Sequence, residues 1–352
     1  AAGLITLART LPTIISSARE GFKGFGATGG GTARTDRDLS MNIVLGGSLV
    51  LAVFLAVTPG LPTQGNVLVS ILIVLFGFFF ATVSSRITGL IGSSSNPISG
   101  MTIATLIITC VIFVALGWTG DAYGPVALSV GAIVCICAAN AGNTSQDLKT
   151  GYIVGATPIY QQMGLAIGVV TSAFIIGMTV LYMHQVFGIG SQAVAAPQAT
   201  LMATLIKGLL SQNLPWGLVL VGVFISVTLE LCGIHSLSFA VGAYLPIETT
   251  APIFIGGLVR WWVERKTGEA SESDLGAGTL FSSGLIAGGS LAGILFAILV
   301  GLDQQGYAIL PALQSVGNVV PFLRDGNFGQ IAGAAFFFVL AVILSRFARR
   351  KI

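Results

Sequence analysis

Three ionisable residues, Glu230, His235 and Glu248, stand in or beside long apolar runs. An ionised group surrounded by hydrocarbon costs about 3 kcal/mol unless it pairs or faces a cavity. Such a group can also take up and release a proton. Glu230 is the best placed of the three for proton coupling, because it sits late in an otherwise uncharged span. His235 borders a break in the apolar sequence and can titrate near neutral pH. A lone His also serves as a hydrogen-bonded packing residue. Glu248 follows Pro246 by two residues, which reads as the N3 position of a helix, where capping and the helix dipole stabilise a carboxylate. A structural role accounts for it equally well.

Two polar stretches are candidates for binding. Ser93-Ser94-Ser95-Asn96-Pro97-Ile98-Ser99-Gly100 interrupts apolar sequence on both sides. Asn96 suits an N-cap and Pro97 the first helical position, so a helix is predicted to begin there. Within a membrane, the free N–H groups of that start attract an anionic group, with Asn96 and Ser99 beside it. At the membrane surface the same residues make an ordinary capped helix. The second stretch runs from Asn140 through Asn143, Thr144, Gln146, Asp147, Lys149 and Tyr152 to Thr157, Gln161 and Gln162. Its amides and hydroxyls suit peptide groups or a gate. A plain cytoplasmic loop is equally polar, but this one carries little strong charge and its amides persist to Gln162. Tyr244, beside the Pro246 break, completes the set of candidate contacts.

Other chemistries find no support. The sequence contains no HExxH, GxSxG or Walker pattern, so neither an enzyme nor a nucleotide-driven pump is indicated. No metal or other cofactor is expected. Gly24-Phe25-Gly26-Ala27-Thr28-Gly29 spells GxGxxG, but no strand precedes it and no apolar helix follows, so it reads as a loop. The four cysteines all fall in apolar spans and read as small packing residues.

The elements that carry these residues must lie in lipid. Charged residues are 8 % of the chain, hydrophobic ones 54 %, and mean hydropathy is +0.92. A soluble domain is about 25 % charged, so a globule of this composition could not cover its surface. Net charge is only +3 and gives no nucleic-acid signal. Eight stretches are long enough to cross about 30 Å of hydrocarbon: 41–58, 67–84, 101–118, 125–140, 164–184, 216–233, 280–302 and 330–346. A ninth, 235–262, is broken at Leu245-Pro246. With 19–38 in the cytoplasm, Arg86, Lys149, Arg260, Arg265, Lys266 and the basic tail also fall inside, and only Lys207 and Arg324 outside. That agreement requires 235–262 to enter and leave on one side as a re-entrant hairpin, or to cross twice.

The expected fold is therefore an all-α membrane protein with about eight transmembrane helices, a broken hairpin and two weak parallel repeats. Residues 1–40 are read as the end of a preceding helix and a cytoplasmic loop, with a signal peptide as the other reading of 4–15. Residues 41–162 form a first four-helix unit with its break at 92–100, and 163–352 a second with its break at 235–250. The pairs Gly164/Gly168, Gly284/Gly288 and Gly289/Gly293 are predicted to be close helix contacts.

Several motifs resemble the oligopeptide transporter family, which includes the yellow-stripe-like metal-chelate transporters. The run Asn140–Gln162 with its Asp-Leu-Lys-Thr-Gly-Tyr core, Ser95–Thr102, Ser238–Pro246 and Leu4–Ile14 look like its bacterial members. The resemblance implies a C-terminal half of a protein with about twice as many spans. It also implies secondary symport driven by protons, with peptides, glutathione-like molecules or metal chelates as substrates. Asp147, Lys149, Thr150, Gly151 and Tyr152 match the family motif. Thr157-Pro158 stands where eukaryotic peptide transporters carry Lys-Ile-Pro-Pro-Arg; the second proline and the arginine are absent here. The implied setting is a bacterial inner membrane. The implied partners are a small peptide or metal chelate, protons, lipid and the N-terminal half; the sequence leaves a homo-oligomer open. A passive channel is the reading from a different class, and a scaffold without flux the most distant.

Overall fold

The computed structural model describes residues 12, 15–16, 33–61, 63–92, 96–191, 194, 196–212, 215–267, 276–304 and 327–349. Eleven α-helices follow in order: α1 Met41–Val57, α2 Val67–Ile91, α3 Ile98–Ala115, α4 Gly124–Val154, α5 Pro158–Phe187, α6 Pro197–Leu210, α7 Trp216–Leu231, α8 Ser236–Tyr244, α9 Ile247–Thr267, α10 Ala277–Gln304 and α11 Asn327–Ala348. No strand occurs among the described residues. Among the described residues seven helices are long and apolar enough to cross a membrane, and α7 is a shorter apolar helix of 16 residues. These match the eight expected spans. The ninth region is interrupted at Leu245-Pro246, with α8 before it and α9 after it. At about 1.5 Å per residue, the nine residues of α8 are too short to cross hydrocarbon.

The chain groups into two compact units: Ala1–Ile175 with Ala196–Ala243, and Ile176–Ala195 with Tyr244–Ile352. In the first, α2 and α4 make the most extensive helix pair. Their seam is built from small residues. The Cys137 thiol lies 3.7 Å from the Gly77 carbonyl, and the Ser145 hydroxyl donates to the Ser85 carbonyl at 3.0 Å. Close backbone approach of this kind is what holds helices together where lipid removes the hydrophobic drive. Val69, Phe80, Val83, Val130 and Val134 fill the buried side, and Met101, Leu106 and Phe113 of α3 close it. Asn66 caps α2, accepting from the amides of Leu68 and Val69 at 2.9 and 3.4 Å. At the far end of α3, Trp118 stacks on Tyr123 with ring centroids 5.5 Å apart.

Three expectations need correction. The glycine pairs chosen as helix contacts meet no helix among the described residues: an added Cβ at Gly164, Gly168, Gly284, Gly288, Gly289 or Gly293 would meet no described atom within 4 Å. The tight positions among the described glycines are Gly131, Gly142, Gly151, Gly278 and Gly301. Second, the span expected to end at Asn140 does not end there. Helix α4 runs unbroken for 31 residues, about 46 Å, and its last turns carry the polar residues. Third, α6 lies in a segment read as a connection. Its Met202, Ile206 and Leu210 are buried at four-residue spacing, against α3, α4 and the turn Asp121–Tyr123. Gly24–Gly29, Arg324 and Lys351 lie outside the described residues.

Candidate functional site

Asn96 sits between α2 and α3, with neighbours from α2 and α4. Helix α3 begins at Ile98 with Pro97 as its N-cap residue, and Asn96 makes no capping bond. Its amide nitrogen instead donates to the Ser84 hydroxyl at 2.7 Å and to the Thr88 hydroxyl at 3.2 Å. Ser84 in turn donates to the Ala138 carbonyl of α4. Asn96 thus ties the break to both helices of the seam. Its side-chain oxygen is buried and accepts no hydrogen bond among the described residues. A buried acceptor left unsatisfied costs about 1–3 kcal/mol, so this atom marks a place where a donor is wanted. The glycine at 142 makes room for the node. A Cβ there would stand 2.8 Å from the Thr88 hydroxyl, 2.9 Å from the Asn96 nitrogen and 3.0 Å from the Ser84 hydroxyl. Ser99 is exposed in the first turn of α3.

The polar end of α4 has two faces. Ala138, Gly142 and Ser145 turn toward α2. Asn140, Asn143 and Asp147 lie roughly opposite, since successive residues turn about 100°. Asn143, Gln146, Asp147 and Lys149 are exposed, Asn140 and Thr144 half-buried. Tyr152 is exposed, with the Lys149 ammonium 5.7 Å from its ring.

The α4–α5 corner explains the Asp-Leu-Lys-Thr-Gly-Tyr core. Gly155 takes a left-handed conformation (φ 73°, ψ 30°) that only glycine adopts without strain. The Ala156 amide then donates to the Gly151 carbonyl at 2.7 Å, closing the helix as a Schellman turn. Gln161 of α5 folds back onto Gly151, where a side chain would collide with it, and donates to the Asp147 carbonyl at 3.2 Å.

A second chain segment clasps this corner. Arg34 donates to the Thr157 hydroxyl at 2.8 Å and the Gly155 carbonyl at 2.7 Å. The Ile159 amide reaches the Arg37 carbonyl at 3.0 Å. Gln162 donates to the Asp38 carboxylate and accepts from the Leu39 amide at 3.1 Å. Thr157 and Gln162 are therefore engaged in this clasp, while Gln161 is held within the corner by the Asp147 carbonyl. The contact also sets 33–40 and 155–162 on one side, as the charge distribution requires. Arg34→Ala is expected to loosen the clasp by about 1 kcal/mol, because both lost bonds are charge-assisted, one partly buried and the other solvent-exposed. Limited proteolysis of the intact transporter should then cut near residues 33–40 roughly fivefold faster.

Glu230 and His235 flank the turn between α7 and α8. One Glu230 carboxylate oxygen accepts from the Ser236 amide at 3.1 Å and its hydroxyl at 2.8 Å. Ser236 is the first residue of α8, so the acid holds the start of the short helix. Gly233 at φ 78° makes the turn. His235 is exposed. Tyr244 ends α8, and Glu248 is the second residue of α9 rather than the third; their side chains lie outside the described residues. The candidate residues thus fall into three groups on different elements: the Asn96 node, the α4–α5 corner and the Glu230 turn. Ser84, Thr88, Gly142, Arg34 and Asp38 were not among them. Ser84 and Thr88 do share one helix face by their i, i+4 spacing.

These helices define a multi-pass membrane protein. Residues 1–300 match the family model described as OPT oligopeptide transporter protein, and the chain belongs to that family. It is 31 % identical to a Haemophilus influenzae protein named "Putative oligopeptide transporter", over 76 % of this chain and 50 % of that one. A Saccharomyces cerevisiae protein of the same description is 28 % identical over 60 % of this chain and 31 % of its own length. The chain thus spans at most about half the length of these curated relatives. No solved structure matches it.

Proposed function

We propose that this chain forms part of a secondary transporter that carries small oligopeptides or related compounds across the cytoplasmic membrane, with a proton as the coupling ion. The observation that carries the reading is the polar end of α4. An apolar span continues without a break into Asn140, Asn143 and Asp147 on the face opposite α2, with Gln146 exposed at its flank. A peptide group offers one donor and one acceptor, and a side-chain amide answers both. The unsatisfied Asn96 oxygen adds an acceptor for a substrate N–H or ammonium. Glu230 carries the proton. Protonating it weakens the two charge-assisted bonds to Ser236 and frees α8, so the coupling event is also a structural one. Two parallel repeats moving against one another would supply alternating access. The relatives' names, which say oligopeptide transporter, agree with this substrate class.

The test is uptake by the intact transporter in proteoliposomes. Labelled di- and tripeptides should accumulate when the outside is acidic and equilibrate without accumulation when the gradient is collapsed. Accumulation of metal chelates but not peptides would move the reading to the chelate importers. A saturation-free flux indifferent to the gradient would replace it with a channel.

A further inference from the structure

The second unit ends in a cluster that the transport reading does not use. The C-terminal turns of α9 and α11 lie together there. The Arg349 guanidinium stands 4.3 Å from the Trp262 ring centroid, and the Lys266 ammonium 4.3 Å from the same ring. Arg265 lies 5.2 Å from the ring of Trp261. Arg346 is on the same turn of α11 and exposed, as are both tryptophans. Arg260 is already paired, with Glu264 at 2.7 Å. Arg265, Lys266, Arg346 and Arg349 face no carboxylate among the described residues. The start of α10 adjoins the same end: Phe281 stacks on Phe347 at 4.7 Å, and Gly278 abuts Ala348.

We infer that this end of the second unit is a binding site for the phosphate of an anionic lipid headgroup. The ligand must be an anion, because Lys266 and Arg349 meet at one ring, Arg265 and Arg346 lie within one turn of them, and no carboxylate among the described residues faces them. It must be presented at a membrane surface, because exposed tryptophans characterise the headgroup level and the basic residues belong to the cytoplasmic side. Trp262 holds both Lys266 and Arg349 at its ring, so their heads are ordered before a ligand arrives. A free phosphate offers the same charge but no acyl chain to lie against Trp261 and the apolar flank of α9, where Leu258 is also exposed.

The test is retention of phosphatidylglycerol by the intact transporter. The purified protein is exchanged into vesicles of phosphatidylcholine with phosphatidylglycerol at three to one, re-extracted, and its bound lipid read by native mass spectrometry. The combined variant Arg265→Gln, Lys266→Gln, Arg349→Gln should retain roughly a hundredfold less phosphatidylglycerol, at about fivefold per charge. The charge-keeping variant Arg265→Lys, Arg349→Lys should retain it within about threefold of the parent. Equal loss in both variants, or no loss in either, overturns the site. Inorganic phosphate that displaces the lipid at millimolar concentration would make this a free-anion site and overturn the lipid assignment. Glu269, Glu272 and Asp274 follow α9 in sequence; neutralising them should leave retention unchanged or raised, and a loss of retention would likewise overturn the proposal.

Discussion

Glu230→Gln in the intact transporter is expected to abolish gradient-driven accumulation while leaving the protein folded. A glutamine oxygen can still accept from the Ser236 amide and hydroxyl, which Glu230 binds at 3.1 and 2.8 Å. It cannot take up a proton. Each pH unit of gradient is worth about 1.4 kcal/mol per proton, so a difference of two units sustains about hundredfold accumulation in the parent. The variant should fall to the level seen without a gradient, while exchange of labelled against unlabelled substrate continues. Glu230→Ala removes the acceptor as well. It leaves the start of α8 short of a partner at about 1–3 kcal/mol, and should lose both accumulation and exchange. Full accumulation by the glutamine variant would remove Glu230 from the coupling step and shift attention to His235 or Glu248.

Gly142→Leu is expected to be the most damaging substitution in the α2–α4 seam. A single Cβ there already comes within 2.8–3.0 Å of three polar atoms of Thr88, Asn96 and Ser84. Alanine must therefore displace the node, at about 1–3 kcal/mol. Leucine adds three further carbons and must part the helices, detaching Asn96 from both hydroxyls. The measurement is thermal stability of the purified transporter beside initial uptake. Alanine should lower both, and leucine should leave no folded protein to assay. Alanine at Gly168 or Gly288 serves as the contrast, since nothing described approaches within 4 Å; those changes should stay within about 0.5 kcal/mol.

Apolar length is what made the helices legible. Each of the eight spans is a run that water would not tolerate, and the Leu245-Pro246 interruption is visible because proline disfavours continuing a helix, although α9 carries Pro252 in its interior. The polar end of α4 was hidden by the same reasoning. Asn, Gly, Thr and Asp are weak helix formers that compete for backbone bonds, so Asn140–Lys149 reads as a connection. Tertiary packing decides otherwise, because Gly142 and Ser145 lock those turns onto α2. Asn96 was read as the N-cap of α3, and that place belongs to Pro97. The Asn96 bonds go across the bundle to Ser84 and Thr88, and sequence spacing carries no signal for that distance. Helix α6 escaped notice because 14 residues with Thr200, Thr204 and Lys207 are too short and polar for a span. Only its buried Met202–Ile206–Leu210 edge gives it a place. Arg34 was counted only as an orientation charge and Asp38 only as the end of that loop, and both are fingers of the clasp.

The cysteines differ in one respect that matters at the bench. Cys110 is buried, Cys135 and Cys137 are half-buried, and Cys232 is exposed, next to the Gly233 turn and two residues after Glu230. The unmodified polypeptide therefore carries its own reporter. A fluorescent maleimide should mark that turn first, and the speed of marking with and without substrate would time the release of the short helix without engineering a probe.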